Sequence, residues 1–120
     1  MRVAIIGSRA YPRLVLVRHY IEMLDPQGDI VITGCARGVD ATARALAQER
    51  GIHVAKIEAL WYTHHRAAGP IRNRWIVLLA ERVVAFWDGK SDGTRSILKI
   101  ASEHNRPVTL FDVEGVRREC

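Results

Sequence analysis

Four arginines stand at the starts of expected helices, where chains usually place carboxylates. Arg37 precedes the second helix, Arg72 and Arg74 fall in the first turn or so of the third, and Arg95 opens the fourth. A cation there opposes the macrodipole, at about 0.3–1 kcal/mol each when exposed. The repetition points to something negative between them, and Arg9 would face the same crevice. Guanidinium suits phosphate because its fork bonds two oxygens at once. The plainer reading is that these arginines are solvated or pair with Asp40, Glu58, Asp88 and Asp92.

Glycine-containing loops accompany the arginines: Gly7-Ser8-Arg9, Gly34 to Asp40, Ala68 to Arg74, and Trp87 to Thr94. Glycine lets backbone amides approach a guest closely, and free amides at a helix start attract anions. Any one such loop can be only a tight turn; several on one edge make a binding rim. Gly7, Ser8, Gly34, Ala36, Gly38, Gly93 and Thr94 are the expected backbone or hydroxyl donors. Arg9, Arg37, Arg72 and Arg74 are the expected charges. Asn73 is placed to read a base or ribose, and Asp88 to accept from a ribose hydroxyl.

Tyr11, Trp61, Tyr62 and Trp87, half of the eight aromatics, fall in loops on this edge. They could stack on a base or form a subunit contact. For Trp87, next to an apolar strand, core packing is preferred, and Trp75 is expected in the core or an interface. His64-His65 with Cys35 or His53 lacks metal-ligand spacing, so no metal is expected. Cys35 reads as an inert small residue. Gly7-Ser8-Arg9 is not a nucleophile elbow, and neither a Walker lysine motif nor a GxGxxG fingerprint is present.

The elements that must position these loops alternate. Strands are expected at Arg2 to Ile6, Asp29 to Thr33, Ile52 to Ile57, Arg82 to Phe86 and Pro107 to Phe111. Each is a continuous apolar run, as expected where both faces are covered. Between them, Leu14, Val17, Ile21 and Leu24 mark one amphipathic helix, and Val39, Ala43, Leu46 and Ala47 a second. Pro70 begins a third, carrying Ile71, Trp75, Leu78 and Leu79. Thr94 caps a fourth, carrying Ile97, Ile100 and Ala101. Asp112 to Cys120 reads as a polar tail or short helix. The pattern predicts an α/β, three-layer Rossmann-like fold: an open parallel sheet of about five strands with helices on both faces. Its ligands would sit beyond the carboxyl ends of the strands.

One domain over residues 1–120 fits the length. With 48% apolar and 26% charged residues, disordered and low-complexity classes are excluded. No apolar run approaches the roughly 18 residues of a membrane span. With no signal-peptide core and two distant cysteines, a cytoplasmic location is expected, with no membrane partner. Eighteen Lys and Arg against thirteen Asp and Glu give a net charge of +5, which favours anionic partners.

Together the four loops resemble the SLOG superfamily, the Rossmann-like group containing the DNA-processing protein DprA (Smf) and the LOG cytokinin-activating enzymes. The small YspA/YpsA-related branch is the nearest. The motifs of Gly7–Arg9, Gly34–Asp40, Gly69–Arg74 and Asp88–Thr94 match its pattern in order along nearly the whole chain. The resemblance implies nucleotide or nucleotide-derivative binding at these loops, and homo-oligomers. LOG enzymes carry a catalytic Glu in this region, where this chain has Ile97. A carboxylate is needed to steady an oxocarbenium-like centre or move protons, so LOG-type hydrolysis is not expected unless Asp40, Glu58 or Asp92 substitutes. The leading expectation is a binding module or sensor for a phosphate-bearing nucleotide of ADP-ribose, NAD or AMP type, with no required cofactor. The alternatives are a nucleotide N-glycosidic hydrolase or transferase, and a single-stranded DNA or RNA binder related to DprA.

Overall fold

The computed structural model describes residues 1–120. Six strands form one sheet: β1 (Arg2–Gly7), β2 (Ile30–Thr33), β3 (His53–Lys56), β4 (Arg82–Phe86), β5 (Val108–Phe111) and β6 (Arg117–Glu119). Their order is β3-β2-β1-β4-β5-β6. All pairings are parallel except the last.

Successive side chains of a strand point to opposite faces, and here both faces are covered. Val3, Ile5, Val31, Val84 and Phe86 meet α1 (Leu14–Glu22) and α2 (Val39–Glu49) through Val17, Ile21, Val39 and Ala43. Ala4, Ile6, Ile32, Val83 and Ala85 meet α4 (Ala68–Leu79) and α5 (Asp92–Glu103) through Ile76, Val77, Ile97 and Ala101. This explains why the strands read as unbroken apolar runs. The three-layer α/β architecture is as expected.

Three local expectations change. The sheet has six strands, because Asp112–Cys120 is no loose tail. Asp112 Oδ1 accepts the amides of Glu114 and Val116 at 2.9 and 3.0 Å, turning the chain back so that β6 pairs antiparallel with β5. The Thr109 hydroxyl donates to Glu119 at 2.8 Å and holds the register. Secondly, the long loop after β3 contains a short helix, α3 (Trp61–His64), and a 3₁₀ turn that runs into α4. Helix α4 therefore starts two residues before Pro70, which still lies in its first turn. Thirdly, Ser91, not Thr94, occupies the N-cap position of α5. No helix is long and apolar enough to cross a membrane.

Candidate functional site

From β1 the chain travels outward to β2 and β3, then returns to lay β4 on the other side of β1. The loops leaving β1 and β4 head to helices on opposite faces and leave a gap between them, the usual ligand position in an open α/β sheet. Gly7 and Phe86 pair at the last register of these strands, and the Ser8 amide donates to the Phe86 carbonyl at 3.0 Å. A pocket of about 350 Å³ opens there.

Nine of the expected site residues line it. Gly7 ends β1 and Ser8 and Arg9 follow it, Ala36 comes from the β2 loop, and Arg72 and Asn73 from α4. Asp88, Gly93 and Thr94 complete it from the β4 side. Gly34, Gly38, Arg37 and Arg74 lie outside its walls. Gly34 and Gly38 nonetheless set its shape. A Cβ on Gly34 would come within 2.8 Å of Asp40 Oδ2 and 2.9 Å of Arg72 Nη1. Gly38 has φ +72°, and a Cβ there would collide with the Arg9 carbonyl oxygen. Arg37 and Arg74 are solvent-exposed.

On the β2 side the pocket is knitted together by Asp40. This carboxylate is 5% exposed. Its Oδ1 accepts the Gly7 amide and its Oδ2 the Ala36 amide, both at 3.3 Å. These two amides, expected as donors to a guest, are therefore engaged by the protein itself. Burial raises the Asp40 pKa, against the opposing pull of the two amides and of the Arg72 and Arg44 charges. Sequence reasoning gave Asp40 as an arginine partner or as a substitute for the missing catalytic carboxylate. Its role as a double acceptor requires two loops to meet in space.

The β4 side is left open. Ser91 makes no side-chain cap bond to α5. The amides of Asp92, Gly93 and Thr94 precede the first helical acceptor and are unpartnered; the next amide, of Arg95, bonds the Ser91 carbonyl at 3.2 Å. Asp88, the acidic residue nearest this terminus from the β4 loop, turns the other way. Its Oδ1 accepts the amides of Ser91 and Lys90 at 2.8 Å each, and these bonds hold its pKa below the usual carboxylate value. Ser8 Oγ accepts the Asp88 amide at 3.0 Å and shares a 2.6 Å bond with Ser91 Oγ, tying the β1 and β4 loops together. Ser91, a wall residue the sequence did not single out, was signalled only by its place in the Asp88 turn.

Buried polar groups add to the open side. Thr94 is 4% exposed, lines the pocket and makes no side-chain hydrogen bond within the protein. Asn73 accepts from Arg72 Nε at 2.9 Å through Oδ1, leaving its amide nitrogen without a protein acceptor. None of Arg9, Arg37, Arg72 and Arg74 has a carboxylate within ion-pair distance, whereas Arg95 is held by Asp92 at 2.8 Å and lies 5.5 Å from the Trp87 ring centre. Glu58 pairs with Lys56 at 3.1 Å. Ile97 also lines the pocket, so the position expected to hold a LOG-type Glu reaches it with an aliphatic side chain.

The aromatics divide. Tyr11 is not an edge residue for stacking: it is buried edge-on against Phe86, and its hydroxyl donates to the Asp112 carbonyl at 2.6 Å. Trp87 is half-buried and donates to the Ser91 carbonyl at 3.1 Å. Trp61, Tyr62 and Trp75 are exposed, so Trp75 is not in the core. No group of three or more His, Cys, Asp or Glu side chains gathers in metal-binding geometry.

A scan against protein-family models and a search of curated proteins return no match. Among solved structures, the chain is similar to DNA processing protein A (DprA) from Streptococcus pneumoniae. The TM-score is 0.78 at 20% identity, over 91% of this chain and 49% of that one. The fold is the DprA Rossmann-like fold. DprA from Helicobacter pylori, described for its binding of single-stranded DNA, is similar with a TM-score of 0.69 at 20% identity, over 92% of this chain and 64% of that one. The chain thus spans about half the length of the first DprA and just under two thirds of the second. At 20% identity the likeness to DprA speaks for the fold alone.

Proposed function

We propose that this pocket binds a phosphate-bearing nucleotide or nucleotide derivative, and that the protein is a binding module or sensor of the SLOG type, within its small YspA/YpsA-related branch. One observation carries the reading: the unpartnered first-turn amides of α5 share a pocket with two arginines, Arg9 and Arg72, that form no salt bridge. A helix N-terminus flanked by guanidinium groups suits phosphate by both dipole and fork geometry. The phosphate lies between Gly93–Thr94 and the Arg9 and Arg72 side chains. Ser8, Thr94 and Asn73 add donors, Asp88 accepts from a ribose hydroxyl through Oδ2 while Oδ1 stays with its own loop, and no further cofactor is needed. Arg37 and Arg74, outside the walls, steer anions toward the mouth. Calorimetry tests this with AMP against adenosine. AMP should bind at least about tenfold more tightly, the scale of a charge-assisted bond, and Arg9→Ala should erase most of the difference. Equal affinity for the two compounds defeats the reading.

Single-stranded DNA binding is the second reading, favoured by the described activity of the Helicobacter pylori DprA and by exposed Trp61, which lines a cavity with Arg9 and Arg72. Its signature is affinity for oligo-dT that falls steeply with salt. A hydrolase would have to rely on Asp40, the one pocket carboxylate free of the β4 turn, and would release free base from AMP or NAD. Self-association is assigned to the exposed Trp75, Leu78 and Leu79 of α4 against a second copy; sedimentation of Trp75→Glu should show the lighter species.

A further inference from the structure

Asp40 lines the pocket assigned to an anion, yet it is itself an acid. A carboxylate and a phosphate in one poorly solvated wall repel each other unless one of them is neutralised. The protein compensates Asp40 only in part. Its two oxygens accept the Gly7 and Ala36 amides at 3.3 Å each, and no cation reaches it at ion-pair distance.

The charges around it come from several elements. On its own helix, Arg44 stands one turn further on and donates Nη1 to the Gly34 carbonyl at 2.6 Å. From α4, Arg72 faces it across Gly34. The point a Cβ on Gly34 would occupy is 2.8 Å from Asp40 Oδ2 and 2.9 Å from Arg72 Nη1, so the two atoms lie within about 6 Å. At that range an opposite charge still favours the ionised acid, and Arg72 does so more strongly than Arg44, while burial works against both. Arg9 follows β1 at the exposed rim, and Asp88 on the β4 loop keeps Oδ1 in its own turn. The β2 loop adds Cys35 and Arg37, both exposed.

Arg72 is thus shared between two anions. Its Nε is committed to Asn73 Oδ1 at 2.9 Å, so its Nη groups are what Asp40 and a phosphate divide. A phosphate that takes them draws off the stronger counter-charge of Asp40 and sets a second negative charge in the same wall. A buried carboxylate relieves that strain by taking a proton.

We propose that the pocket binds its anion together with one proton from solvent, and that Asp40 is the group that receives it. The neutral acid still has an oxygen to accept an amide, so the loops stay joined while the charge is removed. This rests on the nucleotide-binding reading and adds a pH dependence to it. Anion and proton promote each other by the same factor. Affinity is high and flat below the Asp40 midpoint of the free protein. It falls as pH rises, and is low and flat above the midpoint of the complex.

Carboxyl NMR of aspartate-labelled wild-type protein tests this by following the Asp40 midpoint with and without saturating AMP. AMP should raise it by about one pH unit, the lower end of what one charge does at this range. Calorimetry supplies the second measurement. Asp40→Asn mimics the neutral acid, and the ratio of its AMP affinity to that of wild type cancels the titration of AMP itself. The ratio should be near one in acid, where wild-type Asp40 is also neutral, and rise to about tenfold above the midpoint of the complex. A midpoint that AMP leaves in place or lowers overturns the proposal, as does a ratio that does not change with pH. Either result, with AMP bound, leaves the pocket reading standing. If AMP does not bind, both fall. Should Asp40→Asn fail to fold, the wild-type midpoint decides alone.

Discussion

On the β2 side of the pocket, Asp40 draws in the Gly7 and Ala36 amides; on the β4 side, Asp88 turns back on its own loop and α5 begins uncapped. Both sides are spelled with glycine, a small hydroxyl or alanine, and an acid. One uses its donors to bind itself, and the other leaves them free. The two carboxylates register the difference in opposite senses, Asp40 raised by burial and Asp88 lowered by the amides it accepts. Glycine in a loop after a strand therefore does not by itself mark an anion site. What decides is where the neighbouring carboxylate points.

The most severe way to break the comparison is through the glycines. Gly38→Ala places a Cβ against the Arg9 carbonyl at a left-handed φ, and should lower unfolding free energy by about 3–4 kcal/mol. A Cβ on Gly93 meets nothing within 4 Å, so Gly93→Ala should change it by less than about 0.5 kcal/mol. Urea unfolding measures both, and equal losses would remove the distinction between a closed and an open side.

The carboxylates come next. Asp40→Ala strands two buried amides and should destabilise by about 2–3 kcal/mol. Asp88→Ala loosens a turn nearer the solvent and should remove about 1 kcal/mol, a cap-like loss. A larger effect at Asp88 would reverse the assignment of which side holds the loops together.

Thr94→Val sharpens the open side alone. It deletes a hydroxyl with no protein partner, so stability should hold while affinity for AMP falls about fivefold. An unchanged affinity, read by calorimetry, would move the phosphate away from α5.

The smallest effect is the pH dependence of stability. Folded Asp40 holds its proton more tightly than the unfolded chain does, so between its ordinary value of 3.8 and its raised value stability declines as pH rises. Folded Asp88 holds its proton less tightly, so its contribution is present above 3.8 and is lost as pH falls through its lowered value. Asp40→Asn should flatten the first trend and Asp88→Asn the second in denaturation series across acid pH. The opposite pairing of variant and trend would contradict the burial of Asp40 and the amide bonds held by Asp88.

The first five strands and the alternation of layers were legible because two-sided burial leaves unbroken apolar runs such as Val3 to Ile6. β6 was not, since Arg117–Glu119 carries no apolar signal and is held by backbone pairing and the Thr109–Glu119 bond. The pairing of Arg95 with Asp92 follows from i,i+3 spacing on one helix. Tyr11 looked like a loop aromatic because its burial depends on Phe86 and on Asp112, which is 101 residues away. The rim arginines were visible as a set. Which of them face the pocket was not, because Arg72 and Arg74 share a turn and only the direction of each side chain separates them.

One edge of the sheet ends in a three-residue strand bearing Arg117, Arg118 and Glu119, a charged hem hostile to a further strand. The opposite margin, β3, carries exposed His53 and Lys56, the latter paired with Glu58 at 3.1 Å. Addition of a further strand at either margin would therefore bring a charged side chain into the new pairing.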